Sequence, residues 1–360
     1  MTKRIYNFNP GPSTLPLPVL EEMQAELLDY KGTGMSILET SHRSPEFAEI
    51  LAETKALIRE LAGLSEDYHI LFMGGGASMQ FATIPLNFLK DGKSADYVNT
   101  GVWSKKAIKE AKIIGNVNLA GSSDDKNFTY LPQSLNLSPD ACYVHMTSNN
   151  TIFGTQWHRF PDTGNVPLIC DMSSDIFSRT LPFDMFQMIY AGAQKNLGPA
   201  GVTLVIMHKD LAARAKEGLN AMLSYATYIE KDSLFNTPPA YGIYMVMLVL
   251  RWIKKQGGLT AVEKVNDQKQ KTLYGAIDNS GGYFKGTTEV ESRSWMNVTM
   301  RMRDEDLEKK FIAEAKAAGL VGLKGHRSVG GIRASMYNAM TLAGIERLVA
   351  FMDDFKKSNP

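Results

Sequence analysis

Two apolar rhythms run along the chain, and the change from one to the other divides it. Over residues 17–62 the apolar positions recur at helical spacing: Leu20, Met23, Leu27 and Leu28, then Phe47, Ile50, Leu51, Leu57, Ile58 and Leu61. Ser44-Pro45 reads as the start of the second of these helices, a capping hydroxyl and then proline at the first helical position. From residue 69 short, uniformly apolar runs take over: "HILFM", "ADYVNT", "NVNLAG", "CYVHMTS", "PLICDM", "MIYAGAQ" and "VTLVIMH", with helical stretches between several of them. Runs without polar alternation fit strands covered on both faces. Their alternation with helices predicts an α/β domain built on a mainly parallel sheet. A long apolar helix at 240–256 reads as a bridge. After "QGG" at 256–258 comes an α+β region with one strand candidate, "WMNVTMRM", and helices near 304–318 and 341–356. Pro10, Pro12 and Pro16 make the first sixteen residues an extended arm. The predicted organisation is an arm at 1–16, a large α/β domain at 17–257 and a small C-terminal α+β domain at 258–360.

Composition narrows the function class without changing this picture. A length of 360 residues fits two domains, and 44% hydrophobic with 21% charged residues is ordinary for a globular enzyme. A net charge of +1 gives no reason to expect nucleic acid or a membrane surface as partner. The longest apolar run, "IYMVMLVL", is too short to span a bilayer, and "MTKRIYNFNPGPS" at the N-terminus has no apolar signal core. The cytoplasm is therefore the expected compartment, and the N-x-S/T matches at Asn127, Asn136, Asn149 and Asn297 are chance. Cys142 and Cys170 lie inside apolar runs and are expected as buried thiols, not as a disulfide. No metal site is expected.

In open α/β sheets ligands sit outside the strand ends, so the residues just after each run carry the candidate chemistry. "HILFM" leads into "GGGASMQF", three glycines opening into a helix. Bare N–H groups at such a start bind anions, with the Ser78 hydroxyl beside them; the alternative is a tight turn and nothing more. The stretch is neither a Walker loop nor G-x-G-x-x-G, since it lacks a G-K-S/T and position 79 is Met. Trp103 comes just after "DYVNT" and either packs or stacks on a flat cofactor. Thr151 comes just after "YVHMTS" as a hydroxyl donor or a turn residue. Asp171 comes just after "PLIC", where it caps a helix or holds a positively charged ring nitrogen. Lys195 is the one charge in "YAGAQKNLGPAG", and an amine held among apolar walls becomes a usable nucleophile. Phosphate, ring face, hydroxyl, ring nitrogen and aldehyde of pyridoxal phosphate need such partners, and here they come in one ordered series.

The chain resembles the phosphoserine aminotransferase family, class V enzymes of fold type I that use pyridoxal 5′-phosphate. The resemblance covers essentially the whole length, through "NFNPGPSTLP", "TSHRSPEF", "GGGASMQF", "DYVNTGVWSKKA", "YAGAQKNLGPAGVT", "FNTPP" and "LKGHRSVGGIRASMYNAM". It implies an aspartate-aminotransferase-like large domain. It also implies that Lys195 forms the Schiff base, Asp171 pairs with the pyridinium nitrogen and Trp103 stacks on the ring. Ala77, Ser78, Thr151 and Gln194 bind the cofactor, and Asn236 and Thr237 reach its phosphate from the other subunit of a homodimer. Some members carry an arginine where this chain has Ser78, and another branch carries this Ala-Ser form.

The resemblance further implies L-glutamate and 3-phosphohydroxypyruvate as substrates, in L-serine biosynthesis. Phosphohydroxythreonine of pyridoxine biosynthesis is a further candidate. An acceptor with a carboxylate and a phosphate needs cations at both ends, and arginine grips such anions in bidentate fashion. By resemblance Arg333 holds the α-carboxylate. His42, Arg43, His326 and Arg327 hold the phosphate, some of them across the dimer interface. Two other readings stay open: a class V aminotransferase of small oxo acids, such as alanine–glyoxylate, and a non-catalytic pyridoxal-phosphate-binding protein. A cysteine desulfurase fits poorly, because both cysteines lie in strand-like runs.

Overall fold

The computed structural model describes residues 4–360, so the first three residues of the expected arm lie outside the described residues. All seven apolar runs are strands of one sheet. Across it they lie in the order Tyr68–Met73, Thr203–His208, Met188–Gly192, Leu168–Asp171, Val144–Thr147, Ser94–Asn99 and Asn116–Ser122. Thr203–His208 runs antiparallel to both its neighbours, and the remaining pairings are parallel. Six strands therefore point the same way and deliver their C-terminal ends to one edge.

The uniform apolarity of these runs has the expected cause, a covered face on each side. Ile70, Phe72, Val144, Met146, Leu168, Cys170 and Ile189 pack into one core with the helices Pro45–Ala62 and Ala240–Lys255. The residues between them in sequence, such as Leu71, Met73, Tyr143, Ile169 and Tyr190, belong to a second layer with the helices Gly76–Phe88 and Val102–Ile114. The helix Pro45–Ala62 starts where the sequence predicts: Ser44 Oγ accepts from Phe47 N at 3.4 Å, and the left-handed Gly63 (φ 64°) stops it.

A further core gathers Phe8 of the arm, the helices Glu305–Ala317 and Leu342–Ser358, and a small antiparallel sheet of Ile332–Ser335, Asn297–Arg301 and Lys285–Gly286. The arm joins it through Tyr6–Asn7, which pairs with Leu320–Val321.

Four details depart from the sequence pattern. Leu28 lies beyond the end of the helix Leu17–Glu26 and is exposed, while Leu20 and Met23 are only half-buried. Cys170 is buried in its strand, but Cys142 is half-buried. The apolar helix Ala240–Lys255 does not bridge; its Ile243 to Leu250 and Ile253 all sit in the first core. The element spanning both cores is the unanticipated helix Gly258–Asp278. It gives Leu259 and Val262 to the first core and Leu273, Tyr274 and Ile277 to the other. Among the described residues no helix is long and apolar enough to cross a membrane.

Candidate active site

The common strand edge opens into a cavity of about 310 Å³. Ala77, Ser78, Trp103, Thr151, Asp171, Gln194 and Lys195 line it together, carried at or just beyond the ends of five strands. His326 and Arg333 enter from the small-core side. Asn236, Thr237, His42, Arg43 and Arg327 do not line it within one chain. Arg43, Asn236, Thr237 and Arg327 are exposed and His42 is half-buried. A larger, more open depression of about 500 Å³ lies between Leu131–Leu137 and Trp157–Asp162, but no lysine lines it.

The glycine turn does what its sequence allows. Gly75 (φ 82°) and Gly76 (φ 66°) take left-handed backbone, and the helix Gly76–Phe88 begins with no side-chain cap. Its first-turn N–H groups have no carbonyl one turn back, which leaves them and the helix dipole available to an anion. Trp103 stands in the first turn of its own helix, and its Nε1 donates to Thr151 Oγ1 at 3.1 Å. That bond fixes the edge of the indole.

Asp171 is the last residue of its strand and is buried. One carboxylate oxygen accepts from Ser173 N at 2.9 Å, and Ser173 Oγ in turn accepts from Gly192 N at 3.0 Å. Burial pushes the carboxyl above its usual range, opposed by the nearby Lys195 amine and the Ser173 bonds. Burial likewise pulls the Lys195 amine below its ordinary value, opposed by Asp171 and reinforced by Arg333. Lys195 Nζ stands 5.5 Å from the Trp103 ring centroid. The arm closes over this lysine: Ser13 N donates to Gln194 O at 3.0 Å and Ser13 Oγ to Lys195 O at 2.5 Å. A Cβ on Gly11 would come within 3.4 Å of Lys195 Cγ, so a side chain there would press on the lysine stem.

Arg333 is buried, and its Nη1 donates to Thr151 O at 2.8 Å. Its Nε is buried without a protein partner. His326 Nδ1 is fixed by Ser328, whose Oγ lies at 2.7 Å and whose N–H donates to it at 3.2 Å. Partial burial, then the positive neighbours Arg333, Arg327 and Lys106, hold its imidazole below the ordinary value. This wall of the cavity is cationic, and the Asp171 wall is acidic.

Several residues that shape the cavity carry no strong sequence signal: Pro10, Gly11, Thr147, Asn149, Ser173 and Ser174. "NPGP" at the arm and the paired serines after Asp171 are their only traces.

The chain belongs to the aminotransferase class-V family, whose model matches residues 5–348. Curated relatives at 50–57% identity over nearly the whole chain are named phosphoserine aminotransferases. The one from Desulfosudis oleivorans is 57% identical over 361 residues, covering all of both chains. The solved phosphoserine aminotransferase of Bacillus circulans subsp. alkalophilus superposes with a TM-score of 0.98 at 53% identity, covering all of both chains. The pyridoxal-phosphate-bound enzyme of Trichomonas vaginalis gives 0.92 at 38% identity, covering 97% of this chain and all of that one. The fold is that of fold type I, and the cofactor of the family is pyridoxal 5′-phosphate.

The residues present fit that cofactor. An uncapped helix start with two left-handed glycines suits its phosphate. Thr147 Oγ1, on a cavity-lining residue, is buried without a partner. Asp171 keeps a carboxylate oxygen free of any ion pair among the described residues, and Lys195 offers an amine with no acid within bonding distance.

Proposed function

We propose that the chain transfers the amino group of L-glutamate to 3-phosphohydroxypyruvate, reversibly, giving 2-oxoglutarate and O-phospho-L-serine, as a step of L-serine synthesis. The observation that carries this reading is one cavity in which the amine Lys195 and the acid Asp171 share walls with the cation Arg333 and the imidazole of His326. Relatives named for this activity, at 50–57% identity over nearly the whole chain, support it.

Pyridoxal phosphate, when bound, supplies an aldehyde that takes up the amino group and a conjugated ring that accepts the electron pair released at the substrate α-carbon. The protein does the rest. The first-turn N–H groups near Ala77 and Ser78 hold the phosphate, and the Trp103 face and Thr151 set the plane of the ring. Asp171 holds the proton on the ring nitrogen, which keeps the ring electron-poor. With the cofactor bound, Lys195 Nζ would take the proton from the substrate α-carbon and return it to the carbon of the cofactor's aldehyde group; its burial-lowered basicity suits both directions. Arg333 holds the α-carboxylate, which every substrate of the cycle carries.

The far end of the substrate alternates between the γ-carboxylate of glutamate and a phosphate. His326 and Arg327, with His42 and Arg43 of the other subunit, serve both, and the roughly −1.5 to −2 charge of the phosphate engages them more strongly. Phosphohydroxythreonine has the same two anionic ends and is a second substrate on this reading. The active form is a homodimer with shared sites, in which Asn236 and Thr237 of one subunit complete the phosphate cradle of the other. The division into arm, large domain to 257 and small domain beyond belongs to the same reading. Initial rates with 3-phosphohydroxypyruvate and with hydroxypyruvate test it. The phosphorylated acceptor should win by at least about tenfold in kcat/KM, one charge-assisted contact being worth about 1.5 kcal/mol or more. Equal values would overturn the phosphate assignment.

A further inference from the structure

Lys269 lies in the middle of the helix Gly258–Asp278 with no exposed surface. Its Nζ donates to three main-chain carbonyl oxygens: Met336 at 3.0 Å, Tyr337 at 2.9 Å and Met340 at 3.0 Å. Three acceptors match the three donors of an ammonium group. No carboxylate pairs with it among the described residues, and burial alone draws the amine down to about 7. A buried cation without an anion is a poor way to stabilise a core; an apolar side chain of similar length would do as well or better. What the cation provides is a fixed place for three carbonyls.

Those carbonyls belong to a segment that touches three parts of the site. It comes directly after the strand Ile332–Ser335, which carries Arg333. Tyr337 Oη donates to Pro10 O at 2.6 Å and so ties down the arm that lies over Lys195. Asn338 N donates to Asn196 Oδ1 at 3.0 Å, beside Lys195, and its Nδ2 donates to Phe177 O at 2.9 Å. Nearly one turn earlier on the same helix, Asn266 Nδ2 donates to Asn338 Oδ1 at 2.9 Å and to Ser178 O at 2.7 Å.

We propose that Lys269 is a positioning residue of the amino-transfer site: by gathering the carbonyls of Met336, Tyr337 and Met340 it sets Arg333, the Pro10–Gly11 arm and the Asn196 end of the lysine turn in register with one another. It touches none of the reacting groups, and the proposal rests on the reading that Arg333 grips the substrate carboxylate. With Asn266 nearly one turn earlier, it ties the helix to the segment 336–340 that meets the arm and Asn196, so its effect reaches residues beyond its own contacts.

The test uses the holoenzyme with Lys269→Met, which keeps the length and removes the donors, and Lys269→Gln as the milder variant should Met fold poorly. Hydrogen exchange monitored by peptide mass spectrometry is the first readout. Amides of the arm (residues 8–14) and of the lysine turn (194–198) should exchange at least about tenfold faster, while the helix Pro45–Ala62 stays unchanged. The second readout is the KM-against-kcat split. KM should rise about tenfold for glutamate and for the acceptor by a similar factor, with cofactor content retained and kcat within about threefold, as expected when uniform substrate binding is lost. Faster exchange confined to 258–278 and 336–340, with KM within twofold of the parent, would reduce Lys269 to a local structural residue and overturn the proposal. The exchange readout needs no turnover. A parent enzyme that transfers amino groups to a different acceptor would refute the substrate assignment and leave this inference standing.

Discussion

Replacing Arg333 by lysine puts the substrate side of the site under the sharpest strain. Arg333 is 6% exposed, its Nη1 donates to Thr151 O at 2.8 Å, and its Nε is buried with no protein partner. Arg333→Lys keeps the positive charge but cannot hold Thr151 O and a carboxylate with a rigid fork at the same time. One charge-assisted hydrogen bond is lost per bound carboxylate, worth about 1.5–3 kcal/mol, which is about 10- to 150-fold. Both glutamate and 3-phosphohydroxypyruvate carry the carboxylate, so kcat/KM should fall by the same factor for both. Cofactor content should be retained, since Arg333 makes no bond to the first turn of the helix Gly76–Phe88 that holds the phosphate. The assay is steady-state kinetics with each substrate varied in turn against saturating partner. A loss under threefold for both substrates, or a loss seen only with the phosphorylated one, would refute the assignment of Arg333 to the carboxylate end.

Asp171→Asn is nearly isosteric and can keep the Ser173 bond, yet removes the charge that holds the ring-nitrogen proton; the glutamate half-reaction should slow about 100- to 1,000-fold, and a loss under tenfold would argue against the pairing. His145 is fully buried between Tyr97 and Tyr190, and burial holds its pKa down to about 3. The folded protein therefore refuses a proton that the unfolded chain accepts below about 6.5, so acid favours unfolding by about 2 kcal/mol at pH 5 from this residue alone. Urea midpoints at pH 7.5 and 5 should show that extra drop in the parent and not in His145→Gln. If His42 and Arg43 act across a dimer, mixing inactive Lys195→Ala with inactive Arg43→Ala subunits should restore about a quarter of parental activity, because half the dimers are hybrids and each hybrid has one intact site; no recovery after subunit exchange would place Arg43 elsewhere.

The strand-end residues were legible because a mainly parallel sheet sends its strand ends to one edge. Gly74–Ser78, Trp103, Thr151, Asp171 and Lys195 all stand within a few residues of the end of an apolar run, where such a sheet places its ligands. The helix Gly258–Asp278 was not legible, for a reason that bears on function. Its buried stripe runs through Leu259, Val262, Asn266, Lys269, Leu273 and Ile277, and the two polar members break the apolar period at its centre. They are buried to bond carbonyls that meet them only in the folded chain. The four-residue strand Ile332–Ser335 is too short to show alternation, and Arg333 within it faces the cavity. Ser173, Asn149 and Thr147 were invisible for a similar reason: small polar residues near strand ends look like turns until their partners are in place. The antiparallel Thr203–His208 has no composition to distinguish it from its parallel neighbours.

The claim on which the mechanism turns is that the cofactor's aldehyde is held by the amine of Lys195. Borohydride reduction of the holoenzyme and then peptide mapping test it directly. A single cofactor-bearing peptide, modified at Lys195 and absent from Lys195→Ala, is the predicted result. Modification at any other lysine, or a reduced protein that releases all its cofactor on denaturation, would contradict it.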